Sequence, residues 1–206
     1  ILKNILAIAS HANYIEIKNK SYSGYYETLV LSWSFKKDFQ DDGSFNDRYF
    51  NENSKDLNKS YWILISADDY APPNLNNNIT IIKNQRGIFK YNFFYFIKIF
   101  ICAVLECKFS IKKIYHYFSY SSYLAKIVSR AVNEQLKKND YKVVLSPYEA
   151  QPFQNYIFSE SKKFNKNIVT IGYVHSLLNP FPSDLIYRRG APDKLLAHGE
   201  SQIEIL

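Results

Sequence analysis

Three neighbouring segments decide the fold: Lys142-Val-Val-Leu145, then Phe153-Gln-Asn-Tyr-Ile-Phe-Ser-Glu-Ser-Lys-Lys-Phe164, then Ile168-Val-Thr-Ile-Gly-Tyr173. The first and third are short runs rich in β-branched residues, the composition of strands buried on both faces. Between them the apolar residues recur at helical spacing. Strand, helix, strand is a βαβ unit, and such units make a parallel sheet.

Working outward, the same alternation continues. Lys194–Ala197 is a further strand, and Glu200 onward begins as a helix. Upstream, Ser119–Lys138 carries apolar residues at 123, 124, 127, 128, 131, 132 and 136, which predicts an amphipathic helix ended by Asn139-Asp140. Thr28–Trp33, Tyr61–Ala67 and Ile79–Ile82 read as strands. Pro72-Pro73 forces a loop after the second of these, and Lys36–Ser60 is mostly polar. In Ile1–Ile17 the apolar positions 1, 2, 5, 6 and 8 give a helical spacing. The expected fold is therefore α/β: a Rossmann-like, mostly parallel sheet with helices on both faces.

Composition narrows the partners. Hydrophobic residues at 47% against 22% charged describe a globular chain rather than a disordered one. The net charge of +7 favours anionic partners, although the overuse of Lys, Asn, Ile, Tyr and Phe also fits an AT-rich genome. The basic residues are scattered rather than gathered in a stripe, and no helix-turn-helix or RNA-binding signature occurs, so nucleic acid is not an expected partner. Cys102 and Cys107 have no further cysteines to complete a zinc site and fit buried free thiols in a reducing cytoplasm. No metal is expected.

Tyr91–Leu105 is dense in aromatics but carries Lys98 and is short for a membrane span. It reads either as a core helix or as an interfacial helix on anionic lipid, with Lys108, Lys112 and Lys113 nearby. Methionine is absent, even at position 1, and the run ending at Leu206 has no stop signal. These features read as a fragment lacking sequence on both sides.

Ligands of open parallel sheets bind beyond the carboxyl ends of the strands. Two segments leave such ends with reactive groups. After Leu145, Pro147 is expected to block the strand, and Glu149 falls just before a helix start. There it serves as a general base for a sugar hydroxyl or as a helix-end acid; position alone allows both. Gly172 allows a close backbone approach or an unusual φ, and His175 follows the strand directly. That histidine donates to a phosphate, shuttles a proton, or bonds a loop carbonyl. No Walker loop, GxGxxG or GxSxG is present. Asp41-Asp42-Gly43 is first of all a turn. Some bacterial sialyltransferases take their base from an acidic-acidic-Gly motif, which keeps Asp42 as an alternative base.

These residues carry a family resemblance. Tyr148-Glu-Ala-Gln-Pro-Phe153 resembles the "YEgqPw" signature of bacterial surface-carbohydrate biosynthesis proteins, and Ile171-Gly-Tyr-Val-His-Ser176 resembles their "iGyqHs". Ala191-Pro-Asp-Lys-Leu-Leu-Ala-His-Gly199 is similar to the "PDkllvwG" step that follows, and Leu31-Ser-Trp33 with Asp47-Arg-Tyr-Phe50 to a weaker "sW … DrYF". Val174 stands where the family often has Gln, and Phe153 where it often has Trp.

The resemblance implies one half of a GT-B-type glycosyltransferase of O-antigen or capsule assembly, cytoplasmic and at the inner face of the membrane. Residues 1–190 would form the acceptor-side domain. Residues 191–206 would form its last strand and the start of a link to a nucleotide-sugar-binding domain. It implies catalytic roles for Glu149 and His175, and substrate contacts from Tyr148, Gln151, Gly172, Ser176, Asp47 and Arg48. The fragment itself would bind no cofactor. The whole enzyme would take a nucleotide-sugar donor and a glycan or lipid-linked acceptor. The alternative is a non-catalytic binding or scaffold domain in envelope carbohydrate assembly.

Overall fold

A computed structural model describes residues 14–18, 24–57, 59–84, 101, 104–105, 108, 110, 112–113, 120–149, 151–175, 190–197 and 199. In chain order the strands are β1 (Tyr14–Lys18), β2 (Thr28–Ser34), β3 (Asn46–Asp47), β4 (Glu52–Asn53), β5 (Ser60–Ser66), β6 (Ile79–Asn84), β7 (Val143–Pro147), β8 (Val169–Val174) and β9 (Lys194–Ala197). The long helices are α1 (Tyr120–Leu136) and α2 (Pro152–Phe164), and one 3-10 turn covers Lys36–Asp38.

Seven strands form one sheet in the order β1-β6-β5-β2-β7-β8-β9, and β3-β4 is a separate small hairpin. Every pairing in the large sheet is parallel except β1 with β6. The expected strands at 28–33, 61–67, 142–145, 168–173 and 194–197 thus lie in one mostly parallel sheet. β5 is buried along its whole length, which is why its sequence is an unbroken apolar run rather than an alternating one.

Leu29, Leu31, Tyr61, Ile63, Ile65 and Val144 form one face of the sheet. They pack against Leu124, Val128, Val132, Leu136, Phe153, Ile157 and Phe158 of α1 and α2. The opposite face, with Val30, Trp62, Leu64, Ile79 and Ile81, packs against Phe45 and Leu75, flanked by Phe39, Phe50, Leu57 and Ala71. Each such large apolar side chain taken out of water contributes about 1.5–3 kcal/mol.

The division of cover follows from crossover handedness. The chain steps from β2 to β5 to β6 in one direction, then returns past β2 and steps from β7 to β8 to β9 in the other. Right-handed crossovers in opposite directions lie on opposite faces. Residues 35–59 and 67–78 therefore cover the face that α1 and α2 do not. Among the described residues that second cover is a 3-10 turn, a hairpin and loops, where the sequence led us to expect helices on both faces.

Two boundaries also differ from expectation. Tyr14–Ile17 is strand rather than helix; residues 1–13 lie outside the described set. Here Ile17 faces the apolar cluster on the second side, while Glu16 reaches Arg130 (2.7 Å) and Lys18 reaches Glu134 (3.0 Å) on α1. That alternation suits an edge strand. Pro147 does not block β7. It ends the strand in register with Tyr173, and the Tyr148 N–H still donates to the Tyr173 carbonyl at 2.7 Å.

Most of Tyr91–Leu105, both cysteines, Ser176 and Glu200 onward lie outside the described residues. Among those described, no helix is long and apolar enough to cross a membrane.

Candidate functional site

The chain runs from β2 toward β5 and β6, then crosses back to β7 and runs on to β8 and β9, so the topological switch point lies between β2 and β7. Ligands of open α/β sheets bind outside the carboxyl ends of the strands at that point. The side chains converging there come from three segments far apart in sequence.

Glu149 and His175 share one height. Pro147 of β7 pairs with Tyr173 of β8, and each of the two residues stands two positions beyond. His175 Nε2 lies 3.3 Å from Glu149 Oε1, with the side chains 24% and 37% exposed, so solvent and a ligand can reach both. Gln151 Nε2 donates to the other Glu149 oxygen at 2.9 Å. His175 Nδ1 is buried and has no hydrogen-bond partner.

The loop carrying Glu149 is shaped by Gln154, a buried residue that its sequence context did not single out. Its Oε1 accepts the N–H groups of Glu149 and Gln151, both at 3.0 Å, and its Nε2 donates to the Pro147 carbonyl at 2.6 Å. The only sequence signal for this strap is a Gln three residues after the residue that caps a helix.

The third segment crosses over from β2. The Tyr49 ring meets the His175 imidazole edge-to-face at 4.6 Å and 72°, and Phe50 packs on Tyr173 at 5.5 Å. Burial raises the Tyr49 phenol above its ordinary pKa. Tyr49 was not among the expected site residues.

Several of the expected ligand contacts also bond or pack within the fold. Tyr148 is fully buried; its hydroxyl donates to Asn155 Oδ1 at 2.7 Å and its ring packs on Phe158. Gly172 lies beneath it: a Cβ there would stand 2.9 Å from Tyr148 Cβ and from Pro192 Cγ. Its role is close side-chain packing. Asp47 is also buried, and its carboxylate accepts from Ser32 Oγ and from the N–H groups of Tyr49 (2.8 Å) and Phe50 (2.7 Å). Arg48 pairs with Asp38 and lies over the Phe35 ring at 4.4 Å. Tyr148 and Asp47 are buried, whereas Arg48 and Glu149 are exposed and Gln151, His175 and Tyr49 are partly open.

Asp42 sits in a turn. It pairs with Lys55 and accepts the Ser44 N–H at 2.9 Å, and these bonds, the Lys55 one first, hold its carboxyl well below the ordinary range. Asp193, in the Ala191–Gly199 segment, accepts from Thr170 N–H (2.7 Å) and Oγ1 (2.9 Å) and pairs with Lys162 (2.6 Å). Thr170 lies near the start of β8, so this cluster marks the amino end of the strands, away from Glu149 and His175. Among the described residues no group of three or more His, Cys, Asp or Glu side chains is placed to hold a metal ion.

Asp47 gives a stability prediction. Burial pushes its carboxyl up, against the bonds from Ser32, Phe50 and Tyr49. A group whose folded pKa exceeds its unfolded one favours the fold most when protonated, and that contribution is lost as pH rises through the folded value. Asp47→Asn removes the titration and keeps the shape. Its stability relative to wild type is expected to improve as pH rises from about 4 and then to level off. Urea midpoints across pH check this; a gap that is flat, or that moves the other way, contradicts it.

No protein-family model matches the chain, and no curated protein or solved structure matches it.

Proposed function

We propose that the chain is the acceptor-side, Rossmann-like half of a GT-B-type glycosyltransferase that builds bacterial surface carbohydrate. The observation that carries this reading is the Glu149–His175 contact at the switch point. The sequence segments that resemble the surface-carbohydrate family supply that contact and the Tyr49 ring beside it.

The chemistry suits transfer to a hydroxyl. Glu149 takes the proton of an acceptor hydroxyl as its oxygen attacks the anomeric carbon of the donor, and the bond from that carbon to the nucleotide phosphate breaks. His175, 3.3 Å from the carboxylate, balances its charge or passes the proton on. The nucleotide-sugar donor would be held chiefly by a second domain. The enzyme would work in the cytoplasm.

The test is a panel of nucleotide sugars offered to the full-length protein with cell-envelope glycan or lipid-linked acceptor, read by nucleotide release. Acceptor-dependent release supports the transferase. Glycan binding without release from any donor supports the scaffold alternative instead.

Membrane contact belongs to the same proposal. Ile101 and Leu105 are exposed apolar residues, and Lys108, Lys112 and Lys113 are exposed too. Attachment would be peripheral, with each well-placed Lys contributing about 1 kcal/mol on anionic lipid. Flotation with liposomes is expected to need anionic lipid and to weaken in high salt. Equal, negligible flotation with anionic and neutral vesicles at low salt would discard the membrane contact.

A further inference from the structure

We propose that Ser32 and Asp47 form a buried anchor that positions the His175 imidazole through the ring of Tyr49. This deepens the reading of Glu149 and His175 as the reacting pair and rests on it.

A histidine ring is normally held in one orientation by a hydrogen bond to each nitrogen. His175 meets Glu149 through Nε2 at 3.3 Å, and its Nδ1 is buried with no hydrogen-bond partner. A single polar contact fixes the ring's orientation weakly, and the Tyr49 ring packs against it 4.6 Å away and nearly perpendicular.

Tyr49 in turn belongs to a connection without a long helix to stiffen it. Its position is set by the residue two places before. The Asp47 carboxyl gathers the N–H groups of Tyr49 and Phe50 into one tight turn, and Ser32 Oγ on β2 fixes that carboxyl to the sheet. Ser32 lies level with the end of β7, as the register of Val30 with Leu145 requires. The anchor therefore joins the central strand to the site two residues before the level of the reacting groups. Arg48, between the two, is clamped outward on Asp38 and Phe35, which leaves Tyr49 and Phe50 facing β8. The four residues Asp47–Phe50 thus act as one device: a pin, a clamp and two rings.

The experiment uses full-length protein labelled with 13C-histidine, with the His175 imidazole signals assigned by His175→Asn. An aromatic ring at this distance displaces those signals through its ring current. Tyr49→Leu is expected to move them strongly and Tyr49→Phe little. Asp47→Ala is expected to move them in the same sense as Tyr49→Leu, and Asp47→Asn to restore them. Ser32→Ala, a mild change, should shift them part of the way and serves if Asp47→Ala does not fold. Val132→Ala, a core change in α1, should leave them in place. In turnover, Tyr49→Leu and Asp47→Ala should lower kcat by about 10-fold or more with KM little changed, the mark of misplaced reacting groups.

Unmoved signals in Tyr49→Leu overturn the proposal. So does movement in Tyr49→Leu with none in Asp47→Ala and Ser32→Ala. The expected spectral pattern in a protein that turns over no nucleotide sugar supports the anchor and sinks the transferase reading, so the two failures are separable.

Discussion

Glu149→Gln and His175→Ala are each expected to lower turnover of the full-length protein by about 10²-fold or more, the usual loss when a proton-transfer group is removed. Glu149→Gln keeps the side-chain volume and can still meet Gln151, but an amide cannot accept a hydroxyl proton. His175→Ala removes the imidazole 3.3 Å from the carboxylate. Both side chains are partly exposed and neither belongs to an apolar cluster, so folding should survive each change. A drop in turnover at unchanged unfolding midpoint therefore reports chemistry. Because the pair shares one contact, the double variant should lose little more than the worse single one. Steady-state nucleotide release is the measurement. Near-normal turnover in both single variants would make Glu149 and His175 structural.

Much of the sheet was legible because parallel strands covered on both faces must be apolar throughout. Tyr61–Ile65 announces itself in that way, and Val143–Leu145 and Ile168–Tyr173 do so by their β-branched runs. The helix pattern at 124, 127, 128, 131, 132 and 136 was equally direct, since one stripe faces the sheet. β1 was misread because Tyr14–Lys18 is too short to show its period against the apolar spacing before it, and because its partner β6 lies far along the chain. The cover of the second face was hidden for a different reason. Phe39, Phe45 and Phe50 fall at intervals that match neither a helix nor a strand, within a mainly polar stretch. Only the β2-to-β5 crossover brings them onto Trp62 and its neighbours.

The site was legible to the same limit. Glu149 and His175 follow strand ends, and neighbouring strands of one βα unit carry their successors to one edge. Tyr49 could not be read off in this way, because its contact depends on a loop returning across β7 to β8. Tyr148 and Gly172 were expected as substrate contacts, and the structure packs them against each other. Their local sequence does not reveal that the Tyr148 ring lies where a Gly172 side chain would be.

Gly43→Ala is expected to destabilise the fold by about 3 kcal/mol or more, from two separate costs. Gly43 has φ +79°, a left-handed conformation that costs an L-residue about 1–2 kcal/mol. An added Cβ would also stand only 1.7 Å from the Asn74 carbonyl oxygen, and overpacking of that kind costs about 1–3 kcal/mol. The obstacle is backbone and cannot rotate away. The two loops are tied together, since Asn76 N–H donates to the Gly43 carbonyl and Leu75 is buried among Val30, Trp62 and Leu64. Separating them to admit a methyl group would lift Leu75 from that cluster. Asp42→Asn makes the contrast. It weakens only a half-exposed pair with Lys55 and can still accept the Ser44 N–H, so its unfolding midpoint should stay close to wild type. Urea unfolding of the two variants, with turnover measured per folded molecule, separates a turn from a base. A turn requires a large loss of stability in Gly43→Ala and unchanged turnover in Asp42→Asn. Abolished turnover in a stably folded Asp42→Asn would transfer the role of base from Glu149 to Asp42, against the Lys55 contact that holds the Asp42 carboxyl in its ionised form.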